Sequence, residues 1–353
     1  MNYFKSLSLA MCAFASSSNA LELPVINEVF FTTDQTRENI DSPASWHGPA
    51  GEHLLFATSK EGHSVNVFNA TNGIMLQRIG GHGIELGQFD RPNGIWVVDN
   101  LMLVVERDNQ RVQVLSIPDM KPLTSFGEDV LGKPYGLYVR KRNHMEYDVY
   151  VTDNYETPEG EVPADAELGR RVQRFLLEVE GDSAEGEWVA AFGDTSGEGR
   201  LYVVESIHGD PAHQRLLVAD ELEDSNKGRV VKIYDLNGHY TGQNIGQGIF
   251  EAQVEGIALY ETSDTSGYWI VTDQSKTSNR FHLFDRVSLD YLGGFEGAYT
   301  LNTDGVWATT KVGDRYPMGL FYACENDRAV SAFDFADIFE ALGLDAPHQS
   351  LVE

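Results

Sequence analysis

Acidic and polar residues recur at two kinds of position in this chain, at the beginnings and at the ends of short apolar runs. The residues that open one set of runs are Asp41, Asn93, Tyr135, Glu205, Glu255 and Asp304. The residues that close the runs that follow them are Lys60, Glu106, Asp153, Asp220, Glu221, Asp273, Glu325 and Asp327. Clustered carboxylates repel each other unless a cation lies between them, and their oxygens suit the loose coordination of Ca²⁺. If these positions meet in space, they predict a calcium site.

The alternative interpretation is that each carboxylate caps the backbone N–H groups of its own turn. For Glu106, Asp153 and Asp273, which each close a run before a turn, the capping interpretation and the metal interpretation are equally well supported. Glu255 and Asp304 are each followed by a glycine. A glycine lets the backbone run close to a neighbour, so these two residues favour the metal interpretation.

Other catalytic chemistries have little support in the sequence. The ten histidines form no HExxH motif or other close pair that is typical of a zinc site. The chain also has no GxSxG nucleophile motif, no RHGxRxP motif and no Cys-x5-Arg motif.

The apolar runs that hold these positions repeat along the chain. The clearest copy reads as strands Val254–Tyr260, Tyr268–Thr272 and Arg280–Phe284, followed by a fourth run at Asp290–Phe295. Similar units recur six times at a period of roughly 45–50 residues, the range of propeller blades. The second strands of the copies are predicted at Leu54–Thr58, Leu101–Glu106, Asp148–Thr152, Leu216–Asp220, Tyr268–Thr272 and Leu320–Cys324. The repeats predict an all-β, six-bladed β-propeller, because an open β-sandwich does not require six like units.

The sixth copy lacks a clear fourth strand, and Leu23–Thr32 is the segment that could supply it. We therefore predict that an N-terminal strand closes the ring. In a blade the first strand lines the central channel and the second strand runs back antiparallel to it. The two sets of polar positions are accordingly expected to converge on one mouth of the channel.

The remaining features concern location and surface. Met1–Ala20 has the charged start, apolar centre and small-residue end of a cleaved signal peptide, so residues 21–353 are predicted to be one secreted or periplasmic domain. Lys and Arg total 26 against 54 Asp and Glu, a net charge of −28, which disfavours nucleic acid and anionic membranes as partners. No run is long enough to span a membrane, and we expect a monomer. Ala336–Leu342 reads as a helix outside the ring, and Cys324 as a buried free thiol.

Several motifs together resemble the β-propeller phytases. They are DSPASW (Asp41–Trp46), ATSKEG (Ala57–Gly62), PYGLYV (Pro134–Val139), VEGIALY (Val254–Tyr260), TDGVW (Thr303–Trp307) and YPMGLF (Tyr316–Phe321). The resemblance implies a six-bladed, calcium-dependent phosphatase that hydrolyses phytate or another inositol phosphate by direct attack of water, with several Ca²⁺ ions bound.

The resemblance also implies roles for individual residues. The implied metal ligands are Asp41, Glu205, Glu221, Glu255 and Asp304. Lys60 and Tyr135 would contact the substrate phosphate, and Glu255, Glu221 and Lys60 would carry the catalysis. A strongly negative protein can bind a strongly negative substrate where metal ions invert the local field.

The chain also departs from the family pattern. Trp96 stands where the family pattern has an arginine in the first strand of blade two, and Asp41-Ser42 stands where the family has paired aspartates. Residues Phe89–Trp96 and Val104–Val114 resemble an NHL-type repeat. A non-catalytic NHL-type binding propeller, which needs no metal, and a gluconolactonase-like hydrolase, which needs one deeply held calcium ion, are therefore the alternative functions.

Overall fold

The computed structural model describes residues 23–223, 227–310 and 312–345. Nearly all of its regular structure is antiparallel β-sheet, arranged as six blades in a ring. In chain order the strands are β1 (Val25–Ile26), β2 (Phe30–Phe31), β3 (Ile40–His47), β4 (His53–Ser59), β5 (Ser64–Asn69), β6 (Met75–Gly80), β7 (Pro92–Val98), β8 (Leu101–Glu106), β9 (Arg111–Ser116), β10 (Pro122–Phe126), β11 (Pro134–Lys141), β12 (Glu146–Asp153), β13 (Val172–Glu180), β14 (Ser183–Phe192), β15 (Ile207–Asp210), β16 (Arg215–Asp220), β17 (Val230–Asp235), β18 (Tyr240–Ile245), β19 (Gln253–Glu261), β20 (Gly267–Gln274), β21 (Arg280–Asp285), β22 (Tyr291–Gly297), β23 (Val306–Thr309), β24 (Leu320–Glu325) and β25 (Ala329–Asp334).

Each blade is a meander in which neighbouring strands follow one another in the chain. Blades one to five are β3–β6, β7–β10, β11–β14, β15–β18 and β19–β22, and blade six contains β23–β25. The prediction of a six-bladed β-propeller is confirmed. The predicted signal peptide, Met1–Ala20, lies outside the described residues.

The N-terminal segment closes the ring, as the sequence predicts. β2 forms the outer strand of blade six, where Phe30 pairs with Ala332 and Phe31 pairs with Ser331 in antiparallel register. β1 adds a fifth, parallel strand to blade five. One short segment thus pairs with the outer strands of the last two blades, and it covers two strand edges that would otherwise be open.

The hydrophobic core lies between the blades, because each blade has apolar side chains on both faces. Val105 and Val112 of blade two, for example, pack in one cluster with Val149 and Phe175 of blade three. Burial of each such side chain contributes roughly 1.5–3 kcal/mol to the free energy of unfolding. This layered packing fixes the inner strands rigidly around the channel.

The helix α1 (Phe335–Leu342) follows blade six, close to the predicted range. The Asp334 carboxylate caps its first turn by accepting the Ala336 N–H, and Gly343 ends it in the left-handed conformation. Phe335 and Phe339 of α1 pack against Tyr260, on the outside of the ring. Two short 3-10 helices, Asp165–Glu167 and Pro211–His213, complete the regular structure of the described residues. The described part of the chain contains no helix with the length and apolarity that a membrane crossing requires.

Candidate functional site

β-Bulges at the start of the inner strands position the candidate site residues that the sequence predicts. In β3, β7, β11 and β19 the antiparallel register shifts at the same place, so two residues of each strand leave the ladder. The pairs at these bulges are Asp41-Ser42, Asn93-Gly94, Tyr135-Gly136 and Glu255-Gly256. In blades four and six the corresponding pairs, Glu205-Ser206 and Asp304-Gly305, lie just before the inner strand. A bulge re-aims a side chain, and here it does so at equivalent points of the ring.

Contacts between blades hold these pairs in place. The hydroxyls of Thr58 and Thr152 donate hydrogen bonds to the carbonyls of Asn93 and Glu205, at 2.5 and 2.7 Å, each in the next blade. The Cys324 thiol donates to the Asp41 carbonyl at 2.8 Å, across the junction of blades six and one. Cys324 is buried, so its position is structural, in agreement with the prediction.

Three glutamates from blades four and five form a compact cluster. Glu205 precedes β15, Glu221 follows β16 and Glu255 lies in β19. One carboxylate oxygen from each lies within 4.8 Å of the other two. The structure therefore brings together three of the five residues that the resemblance implies as metal ligands.

The other two implied ligands, Asp41 and Asp304, lie on either side of Lys60. The Lys60 Nζ is 2.5 Å from Asp41 Oδ1 and 3.1 Å from Asp304 Oδ2. The Gln274 amide donates to the second oxygen of Asp304. Asp41, Glu205, Glu255 and Asp304 also line one small cavity at the mouth of the channel, so the two groups are parts of one site.

The electrostatics of this site are those of buried acids with too few counter-charges. Burial raises the pKa of Glu205 to about 8, with Lys60 opposing the rise and Asp41 adding to it. Burial likewise raises the pKa of Asp304 to about 7, again against the effect of Lys60. Burial and the neighbouring carboxylates raise the pKa values of Glu221 and Glu255 well above the ordinary range. Lys60 is buried too, but Asp41, Asp304 and Glu205 raise its pKa, so it remains charged.

The donor set fits a hard divalent cation. The Glu221 Oε1 atom is buried and receives no hydrogen bond among the described residues. An orphaned carboxylate oxygen beside two other carboxylates needs either a proton or a cation. An all-oxygen set with irregular spacing is the kind that Ca²⁺ accepts.

Of the residues that close the second strands, Lys60, Glu221 and Asp327 lie at the mouth, whereas most of the acids bind partners within their own blades. Asp153 accepts the backbone N–H groups of Gly132 and Lys133, and Asp273 accepts those of Glu251 and Ala252. Each side chain thus caps the turn before the inner strand of its own blade.

Three further acids of this set form ion pairs with basic side chains of their own blades. Glu106 binds Arg111 and the Asp90 N–H, and Asp220 binds Lys232. Glu325 forms an ion pair with Arg328. Glu221 joins the carboxylate cluster, and Asp327 lies close enough to Asp304 to raise the pKa of that carboxyl.

Two cationic residues near Tyr135, Arg107 and Lys133, are not predicted as site residues from the sequence. The Tyr135 side chain lies close to the guanidinium of Arg107, which follows β8 in blade two. Burial and the Glu205 charge raise the pKa of Tyr135 to about 12, so its hydroxyl stays protonated. Arg107 and Lys133 line a groove of about 580 Å³ beside this position. Arg107 directly follows the Glu106 cap, but nothing in the sequence links it to Tyr135, which lies three strands later in β11.

Trp96 lies away from the mouth. Its ring contacts Tyr138, His208 and Trp307, at centroid distances of 5.1, 4.8 and 5.0 Å. These aromatic residues line a separate cavity of about 390 Å³ further along the inner strands. Trp96 therefore lies in the wall of the channel. The cationic side chain of blade two that approaches Tyr135 is Arg107.

Comparison with known proteins agrees with this architecture. The family model described as Phytase matches residues 241–339, from the last strand of blade four to α1. Among curated proteins, none matches the chain.

Similar solved structures include a nidogen/laminin complex, with a TM-score of 0.51 and 15% identity over 81% of this chain and 90% of that one. Hydrazine synthase of Kuenenia stuttgartiensis has a TM-score of 0.49 and 11% identity, over 96% of this chain and 84% of that one. The Cps50 (Swd1) β-propeller domain of Myceliophteria thermophila has a TM-score of 0.47 and 10% identity, over 86% and 98%. At such identities a likeness concerns the fold alone. The resemblance to the β-propeller phytases is supported by the family match over residues 241–339 and by the six-bladed ring.

Proposed function

We propose that the protein is a secreted, calcium-dependent phosphatase that releases phosphate from inositol phosphates such as phytate. The observation that carries the proposal is the cluster of Glu205, Glu221 and Glu255 within 4.8 Å, next to the charged Lys60. The phytase match over residues 241–339 supports the same activity.

Glu205, Glu221 and Glu255 would hold a calcium ion, and Asp41 and Asp304 would hold a further ion in place of their present contacts with Lys60. Bound Ca²⁺ would supply Lewis-acid polarisation of a phosphoryl oxygen and activation of a water molecule. No covalent phospho-enzyme is needed, because the attacking oxygen would come from water.

The remaining side chains of the mouth would bind and orient the substrate. The Lys60 ammonium would donate to phosphate oxygens once metal ions take over its two aspartates. The protonated Tyr135 hydroxyl would donate a further hydrogen bond. Arg107 and Lys133, in the adjoining groove, would contact the other phosphates of a polyphosphorylated ring. The cationic groups and the ions together would offset the negative charge of the surrounding protein.

The test is phosphate release from phytate, and from lower inositol phosphates, with calcium and with chelator. We expect release that requires calcium. Glu255→Gln keeps the shape of the side chain but removes one charge from the site. It should reduce turnover by tens- to thousands-fold, about 2–4 kcal/mol of transition-state stabilisation, with weaker calcium binding. Glu106→Gln, in the cap of blade two, is the matched control and should retain turnover.

Two results would contradict the proposal. Full activity in a folded Glu255→Gln protein would place Glu255 outside the chemistry. No phosphate release from any inositol phosphate in the presence of calcium would remove the enzyme proposal. The number of metal ions bound per chain would then distinguish the two alternative functions, since a gluconolactonase-like enzyme needs a single ion and an NHL-type binding propeller needs none.

A further inference from the structure

Two histidines and an aspartate meet at the junction of blades one and two. His63 lies in the turn between β4 and β5, and His82 and Asp90 lie in the connection between β6 and β7. The Asp90 Oδ1 is 3.2 Å from His63 Nδ1, and its Oδ2 is 3.5 Å from His82 Nε2. The two imidazole rings are 4.5 Å apart at 67° to each other. The fold thus creates a close histidine pair that the spacing in the sequence does not indicate.

The spacing of these atoms suits a tetrahedral transition-metal ion. With zinc–ligand bonds of about 2.0–2.1 Å, neighbouring ligand atoms of a tetrahedron lie about 3.3 Å apart. The Asp90 carboxylate lies 3.2 Å from His63 Nδ1 through Oδ1 and 3.5 Å from His82 Nε2 through Oδ2, and one ligand atom from each of the three residues lies within 4.8 Å of the others. Two imidazole nitrogens with one carboxylate favour zinc or a similar ion over Ca²⁺, which prefers oxygen.

A cation bound to His63 would compete with a single long hydrogen bond from the backbone. The backbone N–H of Arg91 donates to His63 Nδ1 at 3.2 Å, so this nitrogen acts as an acceptor. The Asp90 Oδ1, also an acceptor, lies at the same distance from it. A metal ion at His63 Nδ1 would take the place of the Arg91 hydrogen bond, because an imidazole nitrogen has one lone pair, and would bind Asp90 Oδ1 as well. The same ion would also take His82 as a ligand, since the His82 Nε2 lies 3.5 Å from the other oxygen of Asp90.

The backbone holds the ligands close together. The loop that carries His82 and Asp90 closes on itself through Phe89 N–H to Gly81 O, at 2.9 Å, and Gly83 N–H to Phe89 O, at 3.2 Å. The Asp90 N–H donates to the buried Glu106 carboxylate at 2.9 Å. Because the backbone is fixed, metal binding would order few additional groups.

The cluster is open to solution on one side and separate from the carboxylate site. The side chain of His82 is 66% exposed, whereas those of His63 and Asp90 are 28% exposed. His63 follows Lys60 by three residues and Asp90 precedes Asn93 by three, so the cluster lies at the rim of the same mouth. It shares no residue with the proposed calcium ligands.

We propose that His63, His82 and Asp90 bind one divalent transition-metal ion, of which Zn²⁺ is the type, with water completing the coordination. The ion would join the turn after Lys60 to the connection that leads into blade two. This site is independent of the proposed phosphatase activity.

Calorimetric titration with Zn²⁺ tests the proposal, on the full chain without a polyhistidine tag. Excess Ca²⁺ and Mg²⁺ should be present to occupy the carboxylates. We expect one Zn²⁺ per chain, and at least about tenfold weaker binding in His82→Ala and in Asp90→Asn. His239→Ala is the matched control, because His239 and Asp235 form an exposed pair without a second histidine; it should bind as the wild type does.

The readout is metal binding and not phosphate release, so it does not depend on the proposed function. His82 is exposed, and a variant at this position should fold normally, which circular dichroism verifies. Absence of stoichiometric Zn²⁺ binding would overturn the proposal. Unchanged binding in both His82→Ala and Asp90→Asn would overturn it as well, since the ion would then lie elsewhere.

Discussion

Removal of divalent cations should make the protein progressively less stable as the pH rises through neutrality. The site holds carboxylates whose pKa values are raised in the folded state, Glu205 from 4.5 to about 8 and Asp304 from 3.8 to about 7. A raised pKa means that the native state binds the proton more tightly than the unfolded state does. The free energy of unfolding is therefore highest below the unfolded pKa, falls as the pH rises, and reaches its lower limit above the folded pKa.

The expected size of the effect follows from the same values. For Glu205 alone, the difference between 4.5 and about 8 corresponds to roughly 5 kcal/mol of unfolding free energy, lost between those two pH values. Asp304 and Glu205 interact, so their contributions overlap and do not add. Calcium at one hundred times its dissociation constant would restore about 2.7 kcal/mol. Calcium should therefore stabilise the protein most where the unprotonated carboxylates are most costly, at and above neutral pH.

The assay is thermal and denaturant unfolding between about pH 5 and pH 8.5, in chelator and in calcium, a range that spans the folded pKa values. Glu205→Gln should flatten the pH dependence in chelator, because it removes the group that titrates. Asp182→Asn is the control, since Asp182 is an exposed partner of Lys121 far from the mouth, and it should leave the pH dependence unchanged. A protein that becomes more stable from pH 5 to pH 8 in chelator, or that unfolds identically with and without calcium, would refute this reasoning.

Three further expectations concern the scaffold. Deletion of residues 21–33 should remove the outer strand of blade six, expose the edge of β25 and lower the melting temperature, whereas an unchanged melting curve would mean that ring closure contributes little. Gly136→Ala should weaken calcium binding in a titration, because the new Cβ would lie 2.1 Å from the Glu205 carbonyl; Gly169→Ala, whose Cβ meets its nearest atom at 3.5 Å, should not. Asp210→Ala should cost about 3–5 kcal/mol in denaturant unfolding, because it leaves the buried Arg286 and Arg215 without their shared carboxylate; a loss below 1 kcal/mol would contradict this.

The fold could be predicted because its determinants are local and repeated. Each blade carries its own alternating strands and turns, so six weak signals reinforce one another. The role of the N-terminal strand follows from counting, since the last copy lacks one strand. The register of that strand, Phe30 opposite Ala332, depends on packing and could not be predicted in the same way.

The candidate site was only partly predictable, for a physical reason. Glu255 and Asp304 stand before glycines at equivalent points of the repeat, and this local pattern is visible in the sequence. Whether an acid at a strand end turns toward the channel or caps its own turn depends on where the neighbouring N–H groups point. Asp153 and Glu221 look alike in the sequence, yet Asp153 caps a turn and Glu221 joins the cluster.

Contacts between blades are the least visible in the sequence. His63 and His82 are separated along the chain by two strands, β5 and β6, and the fold brings their rings together. Arg107 and Tyr135 lie in different blades and meet for the same reason. Such pairs are set by the angle between neighbouring blades, which no short motif encodes.

Arg107 allows a sharp test of how the mouth would bind its substrate. Its Nε donates to Asp108 Oδ1 at 2.6 Å, and the guanidinium lies close to the Tyr135 hydroxyl. These contacts leave donors of the guanidinium for an anion in the groove shared with Lys133. Arg107→Met keeps much of the length and volume of the side chain and removes the charge. A lost hydrogen bond to a charged group costs about 1.5–3 kcal/mol, so KM for a phosphorylated substrate should rise on the order of tenfold to a hundredfold.

The pattern of the kinetic change distinguishes substrate binding from catalysis. Arg107 is not a proposed metal ligand, so kcat at saturating substrate and calcium affinity should change little. Tyr135→Phe should show the same pattern to a smaller degree, because it removes one donor and no charge. Arg142→Met is the control: Arg142 is also partly exposed, but it contacts Asp148 in blade three. An unchanged KM in Arg107→Met would mean that the guanidinium serves only to orient Tyr135. A fall in kcat without a change in KM would instead place Arg107 among the groups that act on the transition state.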